Sequence, residues 1–347
     1  MTNTGPRLVE IPAHITHVPM GDPLDLSPRS IIIEDAGSEY LIGEDARSEK
    51  PDSVRQFGGA LDVPQYRRLL KGLVAHLLGE GTHSLTPTLS AAHHMIDRFR
   101  TNKGSVSLSA EARQLLVETL SEIRFKKGRS DAAWKTCSVQ FADEPRVYFE
   151  YQAVFEALPD DIKSCLIWQM GYGDWQQSLI IDRRPMRDSG KRTEGLSGAV
   201  KLFAKRLGVA FGDAVVAWET ELIPDRNAGS GLNGVTKNCR AEKIDALRHW
   251  IGAGLGELLP SIEQWRTRFK SCIVSGGLCK DETFWKVFTE ELSGQTFKLH
   301  RVHELPEQFR NDRTQDSSMA VVHGLLRKGT LALDPGNGRL KAGVRLP

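Results

Sequence analysis

The 347-residue sequence predicts an α/β protein of about two domains. Three observations carry this expectation. Strand-like and helix-like segments alternate along the chain. Glycine-bearing turns follow several of the apolar runs, at Asp35-Ala36-Gly37, Gly171-Tyr172-Gly173 and Gly276-Gly277. Length exceeds what one small core needs, while the composition, 40% hydrophobic and 26% charged, is that of an ordinary globular protein.

Taken in order, SIIIE (Ser30–Glu34), a turn at Asp35-Ala36-Gly37 and SEYLIG (Ser38–Gly43) read as a β-hairpin. A helix opens at Asp62 with Pro64 in its first turn. Its stripe is Tyr66, Leu69, Leu70, Leu73 and Leu77, and Gly79 and Gly81 stop it. A second helix spans about Ala110 to Ile123 after Ser109. RVYFEYQAVFEAL (Arg146–Leu158) begins as a strand and turns helical. IWQMGYGDWQQSLIID (Ile167–Asp182) is apolar at both ends around two glycines, the pattern of a tight hairpin.

The basic segment Arg183–Arg192 reads as a loop, and about Gly198 to Leu207 as a helix with Val200, Phe203 and Leu207 on one face. Leu222–Arg240 is polar and glycine-rich and reads as an excursion. A long helix from about Glu242 to Leu259 carries Ile244, Leu247, Ile251, Leu255 and Leu258 until Pro260 interrupts it. SCIVSGGLCKDETFWKVFTEEL (Ser271–Leu292) is a strand, a Gly-Gly turn and a helix capped near Asp281. SSMAVVHGLLRKG reads as a buried small-residue helix.

Several function classes find no support. A formal charge of +2 gives no global field for nucleic acid or membrane surfaces. No apolar run approaches the roughly 18 residues of a membrane helix, and the N-terminus lacks a basic-then-apolar signal pattern. Five cysteines (Cys137, Cys165, Cys239, Cys272, Cys279) without C-x-x-C pairing argue against a disulfide framework or a structural zinc site, and a reducing cytoplasm is expected. Cys165 and Cys272 lie in apolar strand-like runs and are expected in the core.

Candidate chemistry is sparse. Gly276-Gly277 ends a strand and precedes a helix, where backbone N–H groups can meet a phosphate or purine; such a turn is also a common connector. AGSGLNGVTK lacks the Gly-Lys-Ser/Thr ending of a phosphate loop. His93-His94 and His300-x-x-His303-Glu304 do not match the zinc motifs H-E-x-x-H or H-x-x-E-H, so no metal site is expected. The basic segment suits a polyanion or simply solvent. No nucleophile-elbow pattern occurs.

The order of these segments is more informative than any of them alone. Between about residues 30 and 330 the chain resembles the actin superfamily, and within it the bacterial plasmid-segregation actins of the ParM/StbA group. EYLIGEDA (Glu39–Ala46) is similar to that family's early hairpin end, YxVGExA. VYFEYQAVFEAL is similar to its strand-to-helix step, IWQMGYGDWQQSLIID to its second phosphate hairpin D-x-G-x-G-T-T-D, and EGLSGAVKLFAKRLG (Glu194–Gly208) to the helix that follows. CIVSGGLCKD (Cys272–Asp281) is similar to the adenosine motif, and SSMAVVHGLL to the closing helix.

The resemblance implies an actin-like ATPase fold: two related domains with ribonuclease H-like cores flanking a nucleotide cleft. Domain I would hold residues 1–163 and 311–347, and domain II residues 164–310. It implies ATP, or GTP, with Mg2+ as cofactors. Gln169, Gly171, Tyr172, Gly173, Asp174, Glu194, Gly276, Gly277 and Leu278 would bind nucleotide, with Glu150, then Gln152, positioning the attacking water. The partners implied are the protein itself, in filaments, and a DNA-bound adaptor, with no membrane.

The departures bear on activity. No D-x-G-x-G-x-x-K precedes LVEIPAHITHV, which resembles the strand after the family's first phosphate hairpin, so that hairpin is expected to lie upstream or to be lost. Gln169 stands where the Mg2+-coordinating Asp would be, Asp174 and Trp175 where threonines would donate, and Leu278 where a third glycine would be. Weak or absent ATP hydrolysis follows. A non-hydrolysing actin-like scaffold for a partner protein is the alternative. Sugar and acetate kinases share the fold, but no residue here supplies their catalytic Asp.

Overall fold

The computed structural model describes residues 5–18, 25–49, 61–91, 108–128, 132–186, 189–224, 236–304, 317–336 and 339–345. The chain divides into two compact units, residues 1–158 with 319–347, and residues 159–318.

Unit 1 holds two sheets. The five-stranded sheet has the order β1 (Arg7–Pro12), β19 (Arg339–Val344), β18 (Leu331–Pro335), β6 (Pro87–Ala91) and β9 (Arg146–Phe149). β19 runs antiparallel to both β1 and β18; β18, β6 and β9 run parallel. The six-stranded sheet has the order β2 (Ile15–His17), β4 (Ser38–Gly43), β3 (Ser30–Asp35), β7 (Ile123–Lys126), β8 (Lys135–Phe141) and β5 (Gly81–Leu85). The β3–β4 hairpin forms as its sequence predicts. Ala36 and Gly37 both take positive φ, 52° and 76°, the twist that two-residue hairpin turns favour.

Helices α1 (Glu44–Glu49), α2 (Pro64–Leu78), α3 (Ala110–Ser121), α4 (Glu150–Ala157) and, late in the chain, α9 (Ala320–Leu326) complete the unit. α2 begins at Pro64, whose fixed φ suits a first helical position, and ends where Gly79 takes φ 77°. Its stripe of Tyr66, Leu69, Leu70, Leu73 and Leu77 is buried in one core with Leu331, Leu333, Leu340 and Val344 of β18 and β19. The side chain of Ser109 accepts from the Ala112 N–H at 3.0 Å and caps α3.

The opposite face of the sheet is closed by α9. Gly343 of β19 lies so near that a Cβ there would meet Val322 and Leu326 at 2.8 and 2.9 Å. α9 in turn packs against α4 through Gly324, where a Cβ would fall 1.7 Å from the Ala153 carbonyl oxygen. Lys328 pairs with Glu156 at 2.9 Å beside this contact.

Unit 2 is built on a sheet of order β12 (Arg184–Pro185), β11 (Asp174–Ile181), β10 (Cys165–Met170), β16 (Ser271–Ser275) and β17 (Lys298–Arg301), with β13 (Lys191–Glu194) also pairing with β11. β10 and β11 are antiparallel; β10, β16 and β17 are parallel. α5 (Leu196–Leu207), α6 (Phe211–Thr220), α7 (Arg240–Leu258) and α8 (Glu282–Glu291) surround it, and β14 (Leu222–Pro224) pairs with β15 (Thr236–Asn238).

The core of unit 2 is aromatic. Trp168 and Trp175 are fully buried, edge to face at 5.5 Å, and each meets Phe288. All five cysteines are free and buried; burial pushes the Cys165 thiol up to about 12. The basic segment predicted as a loop instead contributes β12 and β13. A tight turn with positive φ at Asp182 and Arg183 folds it back on β11, whose edge it covers while Arg183, Arg184, Lys191 and Arg192 stay exposed. No helix among the described residues is long and apolar enough to cross a membrane.

The substitution Gly324→Ala tests the α4–α9 contact. The new methyl has only the Ala153 backbone to displace, so it lowers unfolding free energy by about 2–3 kcal/mol or more in a denaturant titration. An effect within about 0.5 kcal/mol, the size of a neutral surface change, would show that the two helices do not approach as described.

Candidate functional site

In unit 2 the predicted hairpin forms. Gly171-Tyr172-Gly173 turns the chain between β10 and β11, and the Gly171 N–H donates to the Asp174 carbonyl at 2.9 Å. The carbonyls of Gly171, Tyr172 and Gly173 accept from the N–H groups of Leu196, Ser197 and Gly195 at 3.1, 2.9 and 3.1 Å. Those donors open α5. The three oxygens that would repel an anion are thereby engaged by a helix start. Gly195 permits the approach, since a Cβ would lie 2.4 Å from the Asp174 nitrogen.

Gln169, the last polar residue of β10, is buried, and its Oε1 accepts from Ser275 Oγ, directly opposite on β16. The next residue, Gly276, takes φ 110°, and a Cβ would fall 2.1 Å from the Met170 carbonyl oxygen. The fold thus brings Gln169, Gly171, Tyr172, Gly173 and Gly276 to the carboxyl ends of two parallel strands, where open α/β sheets hold ligands.

Around this group the other predicted residues take different roles. Asp174 lies opposite Glu194 in the β11–β13 ladder, and its Oδ2 accepts from Gln176 at 3.0 Å. Glu194 is exposed and pairs with Lys201 at 2.6 Å. Trp175, expected where a donor would stand, has its whole side chain inside the core. Leu278 is likewise packed among the apolar side chains of unit 2, leaving only its backbone for a ligand. Gly277 opens a single 3-10 turn, and Asp281 caps α8 while taking Lys243 Nζ at 2.8 Å.

His93 and His94 lie outside the described residues. Glu304 is engaged by the Arg301 N–H at 3.2 Å, and no group of three metal-ligating side chains occurs among the described residues.

Unit 1 carries a second hairpin that sequence reasoning missed. β18 and β19 read LALDPGNGRLKAGV, and Asp334 to Lys341 has the spacing D-x-G-x-G-x-x-K. The expectation that this pattern is upstream or lost is therefore corrected: it stands near the other end of the chain. Its resemblance to the first hairpin is residue by residue. Asp334 pairs with Lys341 and Pro335 with Leu340, as Gln169 pairs with Gln176 and Met170 with Trp175. A Cβ on Gly336 would meet the Arg339 carbonyl at 3.1 Å, and one on Gly171 the Asp174 carbonyl at 3.2 Å.

Asp334 Oδ1 accepts from Ser90 Oγ at 2.5 Å, on the parallel neighbour β6, just as Gln169 accepts from Ser275. Lys341 Nζ lies 3.8 Å from Asp334 Oδ2, and both residues are at least nine-tenths buried. Gln169 and Gln176 have, in unit 1, a charged counterpart.

Several solved structures are similar to this chain over most of its length. An archaeal actin homologue shares 13% identity over 92% of this chain and 91% of its own, with a TM-score of 0.63. The Alp12 filament structure shares 14% over 91% and 87%, at 0.54. ParM of Bacillus thuringiensis, solved with ATP, shares 13% over 92% and 91%, at 0.51. The fold is that of the actin-like proteins. No family model matches the sequence, and no curated protein is similar to it.

On this actin-like frame Glu150 opens α4 at the carboxyl end of β9, in the same sheet as Asp334. Gln152 accepts from the Phe149 N–H at 3.2 Å, so its side chain caps the start of α4. Tyr66, in the first turn of α2, is 2% exposed, and its hydroxyl has no hydrogen-bond partner among the described residues. Burial, and then the carboxylates of Asp334 and Glu150, hold its phenol well above the usual range. An unpaired buried hydroxyl costs about 1–3 kcal/mol.

Tyr66→Phe removes that hydroxyl without leaving a cavity. The ligand-free protein should unfold at the same denaturant concentration or a higher one. A loss above about 1 kcal/mol, the net worth of an ordinary hydrogen bond, would mean the hydroxyl is bonded within the fold.

Proposed function

We propose that the chain is a nucleotide-binding, self-associating actin-like protein. The observation that supports this best is the repetition of one glycine hairpin in both units, with Asp334, Lys341 and Ser90 placed in unit 1 as Gln169, Gln176 and Ser275 are in unit 2. Sheet-end glycine turns whose carbonyls are engaged leave their amides to meet an anion. Tyr172 and Gly173 would do this in unit 2, where the Gly171 N–H closes the turn on the Asp174 carbonyl and lets the backbone approach, with Asp174 and Glu194 at its rim, and Gly276 and Gly277 would receive the base side. The B. thuringiensis ParM was solved with ATP, which favours ATP over GTP here.

Asp334 fits Mg2+ by its chemistry, since a carboxylate oxygen beside a hydroxyl is the hard donor set that ion takes, usually while keeping waters. Lys341 supplies a cation toward phosphate oxygens. Glu150 would orient a water, with Gln152 holding the helix start that presents it. Gln169 contributes an oxygen but no charge, so turnover is expected to be slow. That neutral residue also favours a second reading, a scaffold that binds nucleotide without hydrolysing it; phosphate release from the bound complex separates the two.

Self-association is supported by the Alp12 neighbour, solved as a filament. A head-to-tail contact of this kind yields an open polymer. Plasmid partition and a DNA-bound adaptor rest on the sequence resemblance.

A fluorescent ATP analogue titrated with Mg2+ and then with EDTA tests the central part. Binding should weaken in EDTA, and Asp334→Asn should cost about tenfold in Mg2+-dependent affinity, roughly 1.4 kcal/mol. Gln169→Asp, which restores a charge at the matching position, should raise phosphate release. Binding indifferent to both Mg2+ and Asp334 would refute this assignment, and failure to pellet in Mg·ATP would refute assembly.

A further inference from the structure

The two units are related by more than their hairpins. In unit 2 the chain order β10, β11, then β12 and β13, then β16 and β17 gives a hairpin, an antiparallel third strand, and two parallel strands on the hairpin's other side. In unit 1 the same places, taken in the same spatial order, are filled by β18, β19, β1, β6 and β9, with the same parallel and antiparallel relations. The chain visits them as β1, β6, β9, β18, β19. One order is a cyclic shift of the other.

We infer that unit 1 is a cyclically shifted copy of the unit 2 core, so that its charged hairpin, Leu331–Val344, is delivered from α9 rather than from ahead of β1. Each of the five strand places in the unit 1 sheet is filled by a described strand. β1 faces β19 along its length, with Arg7 opposite Val344, so the ordinary third-strand connection would join neighbouring residues. The joint on the other side is well built. Between α9 and β18 the Arg327 and Lys328 N–H groups donate to Gly324 and Leu325, and the Thr330 and Leu331 N–H groups both donate to the Thr86 carbonyl at 3.1 Å. A Cβ on Gly329 would lie 2.7 Å from that same oxygen, so the joint is pressed against the β5–β6 strand.

This order has a consequence for the proposed ligand chemistry, on which the rest of this paragraph depends. Asp334 is covalently continuous with α9, and α9 is locked through Gly324 onto α4, the helix that Glu150 opens. The acid of the hairpin and the acid of the helix are thus carried on one packed pair. On the β1 side the hairpin is held by backbone hydrogen bonds and packing, without a chain connection between residues 7 and 344 inside the sheet.

The experiment is a rearranged chain. Residues 329–347 are placed first, followed directly by residues 1–328, so that the hairpin leads into β1 and the chain ends after α9. The opening falls at the half-buried joint between residues 328 and 329, and termini moved to a connection between elements are commonly tolerated when the strand places are unchanged. The rearranged chain should be monodisperse, with the parent's circular dichroism, a cooperative melt within about 5 °C of the parent, and the same rise in melting temperature on addition of Mg·ATP as the parent shows.

A second variant keeps the claim open to refutation without any rearrangement. Arg7→Cys with Val344→Cys in the parent should form a cross-link under mild oxidation, and either cysteine alone should not. Absence of the cross-link, or an unfolded rearranged chain beside a cross-linked parent, overturns the cyclic relation. A folded rearranged chain and parent that both ignore Mg·ATP would leave the relation standing and refute the nucleotide assignment instead.

Discussion

A carboxylate in the middle of a folded sheet is tolerable only if its neighbours are fixed to receive it. Asp334 is 4% exposed, at the end of the central strand of unit 1, and it is met by the Ser90 hydroxyl from one side and the Lys341 ammonium from the other. Losing water costs such a group several kcal/mol unless charge and hydrogen bonds offset it. Both partners come from flanking strands, so their placement requires β18 to lie between β6 and β19 in one register. A slip of one residue along β18 would turn Asp334 into the apolar layer under α2 and take Leu333 out of it. The order of the sheet, the seat of α2 and the clasp of α9 on α4 all follow from holding that register.

Unit 2 meets the same geometric demand with neutral groups. Gln169 and Ser275 repeat the Asp334–Ser90 bond, and Gln176 stands where Lys341 does. A neutral amide needs less compensation, and the interior of the unit is given to aromatic contact, with Trp175 touching Trp168, Trp250 and Phe288. Trp175 fills the hollow that Gly254 of α7 leaves; a Cβ there would be 2.6 Å from its ring. One hairpin is therefore charged and the other packed.

Much of the fold was legible because local signals and tertiary burial agree. The stripe on α2, the Asp281 cap, the Ala36-Gly37 turn and the Gly171–Gly173 hairpin each have a mechanism confined to a few residues. The edge strands β12 and β13 were not legible, since their basic composition reads as a solvated loop and only the free edge of β11 makes them strands. Leu278 was assigned to the site by position in a motif, and Trp175 was noted where a donor would stand; in the fold both are core residues.

The charged hairpin was missed for a different reason. Its spacing is plain in the sequence, but its place in the sheet is not where chain order puts it, and a search ahead of β1 cannot find it. Ser90 carries no signal in one dimension, and Tyr66 signals only a buried helix face, because their further meaning comes from which strand lies opposite and from a hydroxyl left unpaired.

The most direct measurement is amide hydrogen exchange with and without Mg·ATP, followed on the segments 165–181 and 331–345. If the two hairpins are equivalent halves of a ligand-holding pattern, exchange slows in both when nucleotide is added, and the effect on 331–345 disappears when Mg2+ is withdrawn. Protection confined to 165–181, or none in either segment, would contradict the account.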